Sequence, residues 1–176
     1  LADLLTIREH KGELAGLTAT YLGDSANNMG HSYLLGFANA GMHIRIAGPA
    51  GFHPRADIIA DAEKIAAQTG GSVTVMQDPV AAVTGADAVI TDTWVSMGQE
   101  AEKAERIERF GAYRVTPELM QLARPEAIFL HCLPAYREYE VDAAVIDGPQ
   151  SVVWDEAENR VHAQKALMSW LLDESN

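Results

Sequence analysis

Residues 17–47, LTATYLGDSANNMGHSYLLGFANAGMHIRIA, decide the fold because they read as strand, loop, helix and second strand in immediate succession. Residues 17–22 form a short run of apolar, aromatic and β-branched side chains. Residues 30–40 repeat apolar positions at helical spacing and stop at Gly41, a residue favoured where helices end, and residues 43–47 give the second strand. The same alternation continues outward. Pro54 opens a helix with the stripe Ile58, Ile59, Ala62, Ile65 and Ala66, residues 73–76 are a third strand, and Asp78-Pro79 starts a short helix running to about Thr84. Residues 88–91 are a fourth strand, the charged stretch 100–110 reads as a solvated helix or loop, and Thr116-Pro117 begins another helix with threonine as its cap. Residues 127–130 are a fifth strand and residues 152–154 a sixth candidate. Asp155 and Glu158 then resemble a capping box for a terminal helix striped by Ala163, Ala166, Leu167, Trp170 and Leu171. Strands alternating with helices in this way predict an α/β fold, a doubly wound, mainly parallel, Rossmann-like sheet with helices on both faces.

The length of 176 residues suits one core, so a single domain over residues 1–176 is expected. No run approaches the ~20 apolar residues of a bilayer span. A formal charge of -12, from 25 acidic against 13 basic residues without a lysine or arginine cluster, excludes the electrostatic footprint of a nucleic-acid binder and disfavours anionic membranes. The single cysteine, Cys132, cannot form an intrachain disulfide, and no signal sequence is recognisable, which together predict a cytoplasmic setting. The chain starts inside a helical pattern (Leu1, Leu4, Leu5) without an initiator methionine, as a piece of a longer protein would.

Side chains just beyond parallel strands face the crevice where such sheets bind ligands. Four polar clusters fall at these positions. Gly23-Asp24-Ser25-Ala26-Asn27-Asn28 leads into a helix amino end, where free N–H groups favour an anion, although two asparagines also commonly shape a turn and cap a helix. The glycine spacing does not match a dinucleotide fingerprint. Asp92-Thr93-Trp94-Val95-Ser96-Met97-Gly98 follows the fourth strand, with Asp92 suited to a cationic amine or to simple turn formation. His131-Cys132-Leu133-Pro134 follows the fifth, where a lone thiol serves either chemistry or packing. Asp155-Glu156-Ala157-Glu158-Asn159-Arg160 carries an arginine near a helix amino end, an unfavourable place that predicts an anionic or carbonyl partner.

In this order the four clusters resemble the signature of the ornithine carbamoyltransferase family, and the resemblance covers essentially the whole chain. Ser96-Met97-Gly98 is its most specific part, being similar to the family's ornithine-reading segment. The resemblance implies that Asn27, Asn28, Asp92, Ser96 and the backbone at Met97 hold the α-amino and α-carboxylate groups of L-ornithine. It implies that Cys132 with Asp92 sits against the side-chain amine and helps remove its proton, and that the Leu133 carbonyl and Arg160 orient the carbamoyl group of carbamoyl phosphate. His131 would polarise the same carbonyl. The implied reaction yields L-citrulline and phosphate in arginine biosynthesis and needs neither metal nor organic cofactor. An ammonium of pKa near ~10.4 has no lone pair, so such a site must favour the neutral amine. Charge building on the carbonyl oxygen then needs directed donors.

The family's Ser-x-Arg-Thr and His-Pro-x-Gln motifs do not occur in this sequence. The chain is therefore expected to be the amino-acid half alone, a monomer with negligible turnover by itself, whereas the full-length protein would be a homotrimer with L-ornithine and carbamoyl phosphate as its only partners. Apolar surface should be bare on its first and last helices. Two other readings stand beside this one. The chain could be a noncatalytic amino-acid-binding module or a cysteine hydrolase, the latter requiring a base near the thiol although His131 should point to the opposite face.

Overall fold

The computed structural model describes residues 1–95 and 103–174. Five strands, β1 (Thr18–Leu22), β2 (His43–Ala47), β3 (Ser72–Met76), β4 (Ala88–Thr91) and β5 (Ile128–His131), form one sheet in the order β3-β2-β1-β4-β5. Every pairing is parallel. Eight α-helices are described: α1 (Ala2–Lys11), α2 (Asn28–Asn39), α3 (Ala56–Thr69), α4 (Pro79–Val83), α5 (Lys103–Phe110), α6 (Pro117–Met120), α7 (Ala143–Ile146) and α8 (Val153–Glu174).

Strand periodicity sorts the core into two layers. Ala19, Tyr21, Ile44, Ile46, Ile90 and Leu130 face one side, where Ile7 of α1, Tyr33, Leu34 and Phe37 of α2, and Ala62 and Ala66 of α3 cover them. Leu22, Val89 and Phe129 face the other side against Ala82 and Val83 of α4, Phe110 of α5, Leu119 of α6 and Val145 of α7. Helices on both faces of a parallel sheet make the fold doubly wound, as the alternation predicted.

The strand order reverses between β1 and β4, which is where such sheets open a crevice at their carboxyl ends. Register then aligns the ends. Leu22 pairs with Thr91, and Thr91 with His131, so three strands finish at one level. Thr91 Oγ1 donates to the Leu22 carbonyl at 2.8 Å and locks that level.

Three expectations are corrected. Residues 152–154 are not a strand: only an isolated bridge joins Phe129 to Ser151, and α8 already begins at Val153. Asp155 therefore lies in the first turn of α8, where it pairs with His10, and Arg160 sits two turns in, beyond the reach of the terminal dipole. The charged segment ending at Phe110 is not solvated throughout, since α5 buries Arg106 and Phe110. On α8 the stripe residues Leu167, Trp170 and Leu171 are exposed, as is Leu1. It is the earlier face of that helix, with Val153, Glu156 and Asn159, that is buried.

Gly30, in the first turn of α2, lets the loop after β1 fold back on the helix: a Cβ there would lie 2.5 Å from the Ser25 carbonyl oxygen. Gly36, mid-helix, meets nothing within 4 Å. Gly36→Ala is accordingly expected to stabilise the protein by about 0.5–1 kcal/mol, and Gly30→Ala to destabilise it by ~1–3 kcal/mol, in urea denaturation.

Candidate active site

Because β4 and β5 end level, the residues immediately after them meet. Cys132 Sγ donates to Asp92 Oδ1 at 3.2 Å, although 40 residues separate them in sequence. Asp92 also accepts from the Thr93 N–H at 2.7 Å, which turns its carboxylate toward the strand ends. The thiol is half-buried among carboxylates, and desolvation together with the nearby negative charge of Asp92 pushes its pKa well above the ordinary thiol value. Sulfur therefore rests as S–H. A thiol held protonated is the reverse of an activated nucleophile, which counts against the cysteine hydrolase reading.

His131 is fully buried, and both its ring nitrogens are engaged. The Leu133 N–H donates to Nδ1 at 2.9 Å, so Nδ1 is the bare nitrogen and Nε2 carries the hydrogen toward Glu140 Oε1 at 3.2 Å. Glu140, 1% exposed, also accepts from the Tyr136 N–H at 2.6 Å. This arrangement bends the chain after β5. Leu133 takes a left-handed φ of 55°, which costs a branched residue on the order of 1 kcal/mol or more. His131 thus shapes the Leu133 turn instead of presenting an imidazole to a ligand. The expectation that it points away from the thiol is also corrected, because the strand alternation stops at His131. One donor atom each from Asp92, His131 and Cys132 lies within 4.8 Å of the others. A metal ion fits poorly there, since it would have to displace a hydrogen bond from whichever His131 nitrogen it used.

A cleft of about 440 Å³ opens beside these residues, with Met29, Cys132, Leu133, Glu156 and Arg160 in its wall together with Asp3. Arg160 is exposed to the cleft. Glu156 Oε2 accepts from the His131 N–H at 2.9 Å, tying α8 to the end of β5. Burial and a hydrogen bond with the Asp3 carboxylate raise the Glu156 pKa to about 9, so at neutral pH this carboxyl keeps its proton and leaves the Arg160 guanidinium less neutralised.

The structure thus brings Cys132, Leu133 and Arg160 into one cleft, with Asp92 in contact with the thiol. Asn27 caps α2 by accepting from the Gly30 N–H at 2.9 Å, and its amide nitrogen reaches the Tyr21 hydroxyl, so it performs the capping role weighed in the sequence. Asn28 is exposed at the first position of that helix. Ser96 and Met97 lie outside the described residues.

Sequence reasoning missed Glu140 and above all Arg106, and gave Glu156, within its fourth cluster, no role of its own. The Arg106 guanidinium, 8% exposed, forms an ion pair with Asp24 at 2.7 Å, donates to the Trp94 carbonyl at 3.0 Å and packs over the Phe52 ring. A signal for it existed. Arg106 and Phe110 are four apart on one helix, and Asp24 is the second residue after β1.

Residues 15–171 match the family described as aspartate/ornithine carbamoyltransferase, Asp/Orn binding domain. The chain is 71% identical over 175 residues to an ornithine carbamoyltransferase of Clavibacter sepedonicus, covering 99% of this chain and 57% of that protein. It is 66% identical over 172 residues to one from Leifsonia xyli, covering 98% and 55%. In structure it is similar to the ornithine carbamoyltransferase from Pyrococcus furiosus, with a TM-score of 0.91 and 47% identity over 96% of this chain and 53% of that one. The chain therefore spans little more than half the length of the relatives it matches.

The raised Glu156 pKa fixes the sign of a pH effect. A folded state that binds the proton more tightly than the unfolded chain is favoured at low pH, and loses this contribution as pH climbs from the ordinary glutamate value near ~4.3 toward about 9. Glu156→Gln is expected to flatten that decline, so that the difference in urea midpoint between pH 5 and pH 8 shrinks relative to the unaltered protein.

Proposed function

Because this chain belongs to the aspartate/ornithine carbamoyltransferase family, we propose that it is the amino-acid-binding half of an ornithine carbamoyltransferase. The whole protein would move the carbamoyl group of carbamoyl phosphate to the side-chain amine of L-ornithine, giving L-citrulline and phosphate in arginine biosynthesis. The observation that carries this reading is the 3.2 Å contact between Cys132 and Asp92 beside a cleft walled by Leu133 and Arg160.

The chemistry follows from those groups. Asp92 attracts the alkylammonium, and the protonated thiol beside it adds no charge of its own. The ammonium first gives one proton to solvent; the neutral amine then attacks the carbonyl carbon, a C–N bond forms as the carbonyl π bond opens, and the nitrogen, now strongly acidic, gives a second proton to Asp92, from which it passes to the departing phosphate. Arg160 and the Leu133 carbonyl hold the carbamoyl group, the guanidinium facing the oxygen that gains charge. The C–O bond to phosphate then breaks and phosphate leaves with its electron pair. Asn28, Ser96 and the Met97 backbone hold the α-amino and α-carboxylate groups.

Carbamoyl phosphate binding is assigned to a further domain of the whole protein, which we propose to be a cytoplasmic homotrimer. The acidic charge of -12 supports small-molecule partners over nucleic acid. Among the described residues no helix is long and apolar enough to cross a membrane.

In the whole protein, Asp92→Asn is expected to lower kcat for citrulline formation by ~100-fold or more with the melting temperature nearly unchanged, and Cys132→Ser, which keeps a neutral donor to Asp92, to lower it by less. Rates like those of the unaltered protein, or faster carbamoylation of another amine, would overturn the assignment. Calorimetric titration of this chain with L-ornithine is expected to show weak, selective binding.

A further inference from the structure

Arg106 is a charged residue taken out of water, with its side chain 8% exposed and that of its partner Asp24 10% exposed. Buried ion pairs add little net stability, because desolvation offsets their attraction, and apolar residues of similar volume often serve as well. The use of this pair is to be sought in what it joins.

One guanidinium nitrogen, Nη1, donates both to Asp24 Oδ2 at 2.7 Å and to the Trp94 carbonyl at 3.0 Å. Asp24 belongs to the loop after β1. Its other oxygen accepts from the Ala26 N–H at 3.1 Å, and its carbonyl accepts from the Tyr21 hydroxyl at 3.0 Å, so this carboxylate sets the turn that leads to Asn27 and Asn28. Trp94 belongs to the loop after β4, two residues beyond Asp92 and two before Ser96. The guanidinium also lies over the Phe52 ring at 5.3 Å and near the Phe110 ring at 5.9 Å. Phe52 sits in the loop after β2, and its carbonyl accepts from Ser25 Oγ at 2.6 Å. Three strand-end loops thus converge on one cation.

We propose that Arg106 is a positioning residue that sets affinity for the amino-acid substrate, by holding the Asn27-Asn28 turn and the Trp94 backbone at a fixed separation. This inference rests on the carbamoyltransferase reading above. Asn28, in that turn, and Asp92, two residues before Trp94, are assigned to the amino-acid substrate, whereas Cys132, Leu133 and Arg160 are carried by the end of β5 and by α8. Loss of the tie should therefore act on one substrate and spare the other.

The test is steady-state kinetics on the whole protein with L-ornithine and carbamoyl phosphate each varied, for Arg106→Met, Arg106→Lys and the double variant Arg106→Met with Asp24→Asn. Arg106→Met is expected to raise the KM for ornithine about tenfold or more while that for carbamoyl phosphate moves less than roughly twofold. Lysine keeps the charge but lacks the planar fork, and is expected to recover part of the loss. If Arg106→Met does not fold because Asp24 is left as a lone buried charge, the lysine and double variants carry the same reading. An unchanged ornithine KM in the folded variants overturns the proposal, and so do both KM values rising together in step with a falling melting temperature. An unaltered whole protein that makes no citrulline overturns the carbamoyltransferase reading itself, whereas normal turnover with a normal ornithine KM in the variants overturns only the role of Arg106.

Discussion

The parallel register Leu22–Thr91–His131 is the constraint on which the site depends. A parallel ladder fixes every residue of β4 relative to β1 and β5, so a slip of one residue would turn Asp92 or Cys132 to the other face and separate carboxylate from thiol. Continuous burial of these strands makes such a slip costly. Val89 and Phe129 fill one layer while Ile90 and Leu130 fill the other, and exchanging them would disrupt both cores at once. The hydrophobic layers thus position polar atoms that they do not themselves touch.

Around that frame the polar interior is committed to shaping loops. His131 receives the Leu133 N–H and gives its hydrogen to Glu140, Glu156 receives the His131 N–H, and Arg106 joins Asp24 to the Trp94 carbonyl. Each of these groups would be expensive to bury alone; His131 is satisfied within its own turn, whereas Glu156 and Arg106 are satisfied across 25 and 82 residues of sequence by His131 and Asp24. Such bonds form only when the right strand ends are adjacent, which favours one arrangement of the crevice over compact alternatives. The left-handed Leu133 shows the same logic at the backbone, where local strain is offset by the hydrogen bonds that His131 and Glu140 supply.

Charge is distributed across the cleft with equal economy. Burial holds the Cys132 thiol and the Glu156 carboxyl toward their protonated forms, beside the Asp92 carboxylate and the exposed Arg160 guanidinium. Burial raises both pKa values, so the apolar core that aligns the strands also sets the protonation state of the groups at their ends.

The sequence by itself determined the element order and the two-sided parallel sheet, because period-2 and period-3.6 patterns are local and turn residues such as Gly41 and Pro117 punctuate them. β2 and β4 have the limits that the pattern implies. It also pointed to Cys132, Asp92, Leu133 and Arg160 as candidates, by residue type and by position after strands. Residues 152–154 misled because a Val-Val-Trp run fits a short strand or a helix start equally well, and only packing on β5 and α1 selects the helix. The spacing of Arg106 and Phe110 on one helix face was too weak a signal to single the arginine out among the charges around it, since a solvated arginine and a buried one have the same letter. What made it a buried tie, gave His131 its inward ring and brought the thiol to a carboxylate 40 residues away is the order β3-β2-β1-β4-β5. That order is a property of long-range pairing, and no local pattern encodes which strand ends become neighbours.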